Sequence, residues 1–185
     1  NGYVRGEGVG AVVCGLDTEA ASSFGLLLGS SVRHDGTSAS LTAPNGTAQA
    51  DLLSHASSRA GAMPRLIETH GTGTALGDPT EMRALTRTLV DGAAVSGIKA
   101  SVGHLEPAAG MIGLQSLLSA IIASEGTPNA QLRVLNPLIG SRLEGISMPF
   151  MLPTNGMPLS AFGHVCVSSF GFSGTIAHFV LRRSA

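Results

Sequence analysis

Short apolar runs alternate with stretches of helical periodicity along most of this chain, and no other feature restricts the fold as much. The apolar runs are predicted to be strands at 9–14, 25–32, 64–70, 96–102, 165–170 and 175–181. The periodic stretches are predicted to be helices at 48–58, 78–90 and 107–124. Alternating strands and helices build layered sheets, so the sequence predicts an α/β domain.

The second predicted helix carries the clearest start signal in the sequence. Asp78 is expected to be its N-cap, with Pro79 in the first helical position and Glu81 three residues after the cap. This spacing is typical of a capping box, in which the Glu side chain returns to the N-cap backbone.

The third predicted helix, 107–124, contains no charged residue over its 18 positions. That length and apolarity would allow a transmembrane segment. Small and polar residues make up half of the stretch, however, and no aromatic or basic anchors flank it. We therefore expect no membrane span, but a buried helix that packs closely through Gly110 and Gly113.

The composition excludes several function classes. Charged residues make up 12% of the 185 residues, the net charge is −1 and aromatics make up 4%. No basic or aromatic surface for nucleic acid is therefore expected. The two cysteines, Cys14 and Cys166, are too few for a disulfide scaffold and favour a reducing, intracellular location. Both lie in apolar runs, where a cysteine behaves as a small buried hydrophobe.

Two histidines follow predicted strands and stand beside glycines. His70 enters the turn Gly71–Thr74, and His104 follows Gly103. Side chains at the carboxyl end of a strand suit a site at the edge of a sheet. For either histidine alone, a structural role is the alternative. Lys99 adds weight to a functional site, because a lysine within an apolar strand is costly to bury without a partner or a task.

Five segments together resemble the β-ketoacyl synthases, especially those of polyketide-synthase type. The segments that match the family's motifs, in family order, are Gly2–Gly8, Leu41–Gly46, Glu68–Glu81, Lys99–Gly110 and Val167–His178. They span nearly the whole chain, which makes the resemblance far more specific than a lone His-Gly-Thr.

The resemblance implies a thiolase-like layered α/β/α sandwich, of which this chain is mainly the C-terminal half. Residues 1–16 would end the N-terminal half, and residues 17–185 would form the C-terminal half. The implied activity is an acyl transfer, the decarboxylative Claisen condensation of an acyl group with a malonyl-type thioester in polyketide or fatty-acid synthesis.

The resemblance also assigns the catalytic residues. His70 and His104 match the family's histidine pair, which donates hydrogen bonds to the enolate oxygen of the thioester. Such a donor is typically worth about 10²–10³ in rate. Lys99 matches the family lysine that biases protonation nearby. Glu68 and Glu106 are left unassigned, since a Glu at a helix start is commonly just favourable with the helix dipole.

The remaining implied roles concern the substrate arm. Thr72 and Thr74 match positions that hydrogen-bond phosphopantetheine, and Phe172 matches a gating residue whose backbone N–H helps to form the oxyanion hole. The implied partners are an acyl carrier protein, whose phosphopantetheine carries the substrates, and a second copy of the complete domain. No bound cofactor and no metal site are expected.

The chain departs from the family pattern at the nucleophile. The family's catalytic cysteine lies in an Asp-Thr-Ala-Cys-Ser-Ser-like motif upstream of the segment that resembles Gly2–Gly8, so we expect it outside this chain. Asp17–Ser23 mimics that motif but has no cysteine. The isolated chain is therefore expected to be inactive. The alternatives are an inactive partner or structural subunit of a condensing-enzyme dimer, and a thiolase-type enzyme, which the paired-histidine motifs do not favour.

Overall fold

A five-stranded mixed sheet forms the centre of the chain in a computed structural model. The structure describes residues 2–16, 23–36, 43–129, 131–146, 150–159 and 163–184. The sheet has the order β1-β7-β6-β2-β3, in which β2 runs parallel to β3 and β6, and β7 runs antiparallel to both of its neighbours. Its strands are β1 (Gly25–His34), β2 (Leu66–Glu68), β3 (Ala94–Ser96), β6 (His164–Phe170) and β7 (Thr175–Arg183). The short strands β4 (Glu125–Gly126) and β5 (Met157–Pro158) form a separate ribbon.

Helices connect most of these strands, which confirms the predicted α/β class. They are α1 (Gly46–Ala60), α2 (Gly77–Thr88), α3 (Lys99–Val102), α4 (Ala109–Ala123) and α5 (Pro137–Leu143). The first helix ends at Ala60, because the next residue, Gly61, adopts a left-handed φ of +62° that few other residues tolerate.

Strand β2 contributes side chains to two hydrophobic cores, one on each face of the sheet. Ile67 packs with Leu53 of α1 and Leu85 of α2. Leu66 points to the opposite face and packs with Leu117 of α4, because successive side chains of a strand alternate between faces. Burying each of these side chains stabilises the fold by roughly 1.5–3 kcal/mol. Helices therefore cover both faces of the sheet, in an α/β/α arrangement.

The predicted strand at 9–14 is wrong. This segment pairs with none of the described strands, and Val9 and Val13 are almost fully exposed. Cys14 is exposed too, so it is not the buried hydrophobe that the sequence suggests, whereas Cys166 in β6 is buried as expected. A strand needs neighbouring backbone groups for its hydrogen bonds, and an apolar run alone does not supply them.

The predicted strand at 96–102 is also wrong beyond its first residue. Strand β3 ends at Ser96, and the chain turns so that the N–H of Ile98 donates a hydrogen bond to the carboxylate of Glu68 at 2.7 Å. Lys99 then begins the one-turn helix α3. The lysine is buried, but it lies on a helical turn at the end of the sheet instead of within a strand.

The predicted capping box of α2 does not form. The helix begins at Gly77, and its N-cap residue makes no side-chain capping bond. Asp78 and Glu81 lie inside the helix and accept hydrogen bonds from the preceding turn instead. The backbone N–H groups of that turn do not take part in a helix or a sheet, so they need other acceptors. The fold places them within hydrogen-bond distance of these two carboxylates.

Helix α4 follows a 3-10 turn at Glu106–Ala108 and ends at Ala123, and the next residue, Ser124, takes a left-handed φ of +56°. Gly113 packs against Val167 of β6, as expected for a helix that approaches the sheet through small residues. The buried residues of α4 all belong to one face, so the expectation of a buried helix holds for that face alone. Within the described ranges, Glu106–Ala123 is the one helix whose length and composition would let it cross a membrane, a test that core helices also pass.

Some expectations fall outside the described residues. They concern most of Asp17–Ser23 and the first two residues of the segment Leu41–Gly46.

Candidate active site

His70 lies just after β2, in the glycine-rich turn that leads to α2. The backbone N–H groups of His70 and Gly71 donate hydrogen bonds of 2.8 and 2.9 Å to the two carboxylate oxygens of Glu81. The N–H of Gly73 donates to the carboxylate of Asp78 at 3.0 Å. Two acidic side chains on α2 therefore hold the turn, and with it His70, at the end of the sheet.

His104 is held from the other side by the beginning of the chain. Its N–H donates to the carbonyl of Val4 at 2.8 Å, and its carbonyl accepts from the N–H of Gly6 at 3.0 Å. The ring of Tyr3 contacts the imidazole with 4.7 Å between centroids. The preceding Gly103 has a φ of +78°, a conformation that favours glycine. Residues 3–6 therefore fix both the backbone and the ring of His104.

The two imidazoles meet edge to face, with centroids 5.4 Å apart and planes at 83°. Nδ1 of His70 accepts a hydrogen bond from the N–H of Phe170 at 3.3 Å, and Nδ1 of His104 accepts one from the N–H of Glu106 at 3.0 Å. A ring nitrogen that accepts from an N–H carries no proton, so the neutral ring has its proton on Nε2. Both rings therefore present an Nε2–H donor.

Electrostatics keep both rings neutral. Burial lowers the pKa of His70 to about 3, and the positive charge of Lys99 and the neighbouring His104 act in the same direction. The pKa of His104 is lowered by burial and then by Lys99, whereas Glu106 raises it. Because both pKa values lie below the ordinary value of 6.5, both imidazoles are uncharged at pH 7.

Lys99 is buried beside the pair, with 9% of its surface exposed. Burial lowers the pKa of its ammonium group, and the carboxylates of Glu81, Glu68 and Asp78 raise it. The lysine is thus placed among acids on α2 and β2, where its charge opposes protonation of both histidines.

Buried carboxylates are the part of the site that the sequence did not reveal. Glu68 is fully buried and accepts hydrogen bonds from Ile98 N–H and from Ser96 Oγ at 3.0 Å. Burial raises the pKa of Glu68, and it raises the pKa of Glu81 to about 7. An acid in the first turns of a helix that follows a glycine-rich turn is the sequence signal that could have indicated Glu81.

The two threonines lie in the turn between His70 and α2, with their hydroxyl oxygens 3.2 Å apart. Thr74 Oγ1 also accepts a hydrogen bond from the N–H of Gly77, the first residue of α2, at 3.0 Å. Thr74 therefore helps to start the helix. The Thr72 hydroxyl has no such backbone partner among the described residues.

Phe172 lies in the turn between β6 and β7, and its side chain is 80% exposed. Of the described aromatic rings, those that contact the two histidines are Tyr3 and Phe170. The ring of Phe170 lies 5.3 Å from that of His70. The fold thus brings a neighbouring phenylalanine to the site through both its ring and its N–H, and the sequence analysis missed it.

A cavity of about 630 Å³ opens beside the pair. Thr72, Asp78, Glu81 and Lys99 line its polar part. Apolar side chains line the rest, among them Met82, Leu85, Val95, Ile139 and Leu152. The cavity lies between the turn after His70 and the core in which Ile67 packs with Leu53 and Leu85. Neither imidazole lines it.

Comparison with solved structures places this site in a known fold. The ketosynthase from module 6 of the bacillaene synthase of Bacillus subtilis 168 matches with a TM-score of 0.81 and 32% identity. The match covers 91% of this chain and 32% of that one. The oxazolomycin ketosynthase domain OzmH KS7 of Streptomyces albus JA3453 matches with a TM-score of 0.78 and 29% identity, over 87% of this chain and 30% of that domain. These likenesses confirm the expected thiolase-like fold.

Sequence comparison points the same way. A phenolphthiocerol/phthiocerol polyketide synthase from Mycobacterium tuberculosis is 37% identical over the whole chain, which spans 13% of that protein. Polyketide synthase GfsA of Streptomyces halstedii is 38% identical over 98% of the chain, which spans 3% of it. Residues 24–133 match the family model described as Beta-ketoacyl synthase, C-terminal domain. The chain therefore belongs to the β-ketoacyl synthase family, whose ketosynthases share its fold and whose motifs it carries around His70 and His104.

Proposed function

We propose that this chain supplies the decarboxylation and enolate-stabilising part of a ketosynthase active site. The observation that carries the proposal is the pair of neutral imidazoles, His70 and His104, whose Nδ1 atoms both accept from backbone N–H groups. Two fixed Nε2–H donors in a partly buried site suit an oxygen on which negative charge develops.

The proposed chemistry starts from a malonyl-type thioester. Its carboxylate leaves as CO2, and the electrons of the broken C–C bond remain on the α-carbon as an enolate. The enolate oxygen takes hydrogen bonds from His70 and His104. The α-carbon then attacks an acyl group held on a cysteine sulfur, a new C–C bond forms, and the sulfur leaves as thiolate.

Neutral rings serve this reaction better than charged ones. An imidazolium has a proton on Nδ1 and would lose the bond from Phe170 or Glu106 that orients the ring. Lys99 favours the neutral state, because its charge lowers the pKa of both histidines. A donor that is oriented before the reaction needs no reorganisation as the charge develops.

The substrates and partners extend this proposal. The relatives are polyketide synthases, which supports an acyl carrier protein as the donor of phosphopantetheine-bound substrates and a dimer of the complete domain. Thr72 and Thr74 would hydrogen-bond the pantetheine arm, and the N–H of Phe172 would bind the acyl oxygen.

The test uses a ketosynthase that contains this chain together with the family's cysteine motif. CO2 release from a malonyl thioester and formation of the β-ketoacyl product are measured for His70→Ala and His104→Ala. Each is expected to lower the rate about 10²–10³-fold. His164→Ala, at the far end of β6, is the matched control and should retain the parental rate.

Two outcomes would contradict the proposal. Parental CO2 release in both His70→Ala and His104→Ala would exclude the enolate role and favour a structural role for the chain. Condensation product formed by the 185-residue chain alone would show that no external cysteine is needed.

A further inference from the structure

Glu106 has an unusual backbone conformation next to His104. Its φ is +49°, in the left-handed region that a residue with a side chain rarely adopts. In this conformation its N–H points to Nδ1 of His104, at 3.0 Å. Strained backbone conformations cluster at active sites, where the strain can be part of the mechanism.

The side chain of Glu106 is held as well. Its Oε1 lies 2.8 Å from Nε of Arg5 in an ion pair. Arg5 belongs to the segment whose neighbours Val4 and Gly6 bond the backbone of His104. The ion pair therefore connects the segment that bonds the backbone of His104 with Glu106, the residue whose N–H orients the ring.

We propose that the Arg5–Glu106 ion pair is a positioning element for His104, which aims the Glu106 N–H at Nδ1 and so keeps the ring proton on Nε2. The effect of this ion pair on catalysis rests on the proposed function of His104. Neither residue is a catalytic residue, since both act through the imidazole.

The pair also balances charge around the ring. The groups that face His104 are Tyr3, the ring of His70, Lys99 and the pair itself. Lys99 lowers the pKa of His104 and Glu106 raises it. A bare Glu106 carboxylate would favour the imidazolium, and Arg5 offsets that pull. An exposed pair of this kind adds little to stability, which makes it a suitable target for substitution.

The test is ¹⁵N and ¹³C NMR of the ring of His104 in the 185-residue chain. Arg5→Met leaves Glu106 unneutralised, so the pKa of His104 should rise by on the order of half a pH unit, and Nδ1 should lose part of its unprotonated signature. Glu106→Gln should shift the pKa in the opposite direction, but because it also breaks the ion pair, Nδ1 should again lose part of its unprotonated signature. The double variant should lie between the two, and Arg5→Lys should restore the parental ring.

Arg87→Met, at another exposed arginine, on α2, is the matched control and should leave His104 unchanged. A parental Nδ1 signal in both single variants would overturn the proposal, because the ion pair would then have no part in aiming the Glu106 N–H. Amide spectra check that each variant is folded. The ring measurement does not depend on activity. If His70→Ala and His104→Ala both kept full decarboxylation, the proposed function would fail while the positioning result stood.

Discussion

The carboxylate of Glu81 accepts a hydrogen bond of 2.8 Å from the backbone N–H of His70, eleven residues earlier in the chain. Through its second oxygen it also accepts from Gly71. The helix that carries Glu81 thus sets the position of the candidate catalytic histidine, without contact to its ring.

This arrangement makes stability depend on pH. The pKa of Glu81 is about 7 in the folded chain, chiefly through burial, against an ordinary value of 4.5. Between these values the folded state binds the proton more tightly than the unfolded state, so the contribution of Glu81 to stability is greatest below pH 4.5 and is lost as the pH rises to 7. The loss is on the order of 3 kcal/mol.

The pH prediction is tested by urea unfolding of wild type and Glu81→Gln from pH 5 to 8. At pH 5, where Glu81 is protonated, the variant should be less stable than wild type by about 1–3 kcal/mol, because its amide leaves one backbone N–H without an acceptor. Wild type alone then loses stability as Glu81 ionises. The advantage of wild type over the variant should therefore shrink as the pH rises. Glu144→Gln, at an exposed glutamate after α5, should follow the wild-type curve. A gap between wild type and Glu81→Gln that is constant across pH would contradict the raised pKa.

Thr72 and Thr74 should respond differently to the loss of a hydroxyl. Thr74→Val removes the acceptor for Gly77 N–H at the start of α2, and we expect the free energy of unfolding to fall by about 1 kcal/mol. Thr72→Val removes only the contact between the two hydroxyls and should change stability little. Denaturant unfolding measures both, and Thr74→Ser should behave as wild type. Equal losses at the two positions would show that the helix-start bond does not matter.

Helix α4 depends on the absence of a side chain at Gly113. A Cβ there would lie 3.0 Å from a methyl of Val167 and 3.4 Å from Cγ of Glu68. A Cβ at Gly140 in α5 would meet its nearest neighbour, a methyl of Leu135, at 3.9 Å. Alanine should therefore raise stability at Gly140 by about 0.5–1 kcal/mol through helix propensity.

At Gly113 the same substitution gains that propensity but overpacks the core, with a typical loss of about 1–3 kcal/mol. Gly113→Ala should therefore melt below Gly140→Ala in thermal unfolding followed by circular dichroism. An equal gain at both positions would mean that the sheet yields to the extra methyl.

The two cysteines should differ in reactivity. Cys14 is exposed, whereas Cys166 is buried and burial raises the pKa of its thiol well above its usual value. A thiol reagent should therefore modify one thiol per native chain and two after denaturation. Cys14→Ser should abolish labelling of the native chain, while Cys166→Ser should leave it at one. Rapid modification of Cys166 in the native chain would contradict the burial of its thiol in β6.

Local patterns were sufficient for most of the regular elements. The predictions of α1, β1, β6 and β7 are confirmed, because turn residues and apolar periodicity act within a few positions. The strand at 9–14 failed because it has the composition of a strand without a described partner, and the strand at 96–102 failed because Glu68 draws the chain into a turn.

By itself, the sequence determined the α/β class and, through the ordered motifs around His70, Lys99 and His104, the family of the chain. Only the tertiary structure decided how these residues meet. Phe170 orients His70 from a hundred positions away, and Arg5 reaches Glu106 across a similar span. Hydrogen bonds and ion pairs act over about 3 Å in space but leave no periodic trace in the chain, so their partners emerge only when the sheet brings them together.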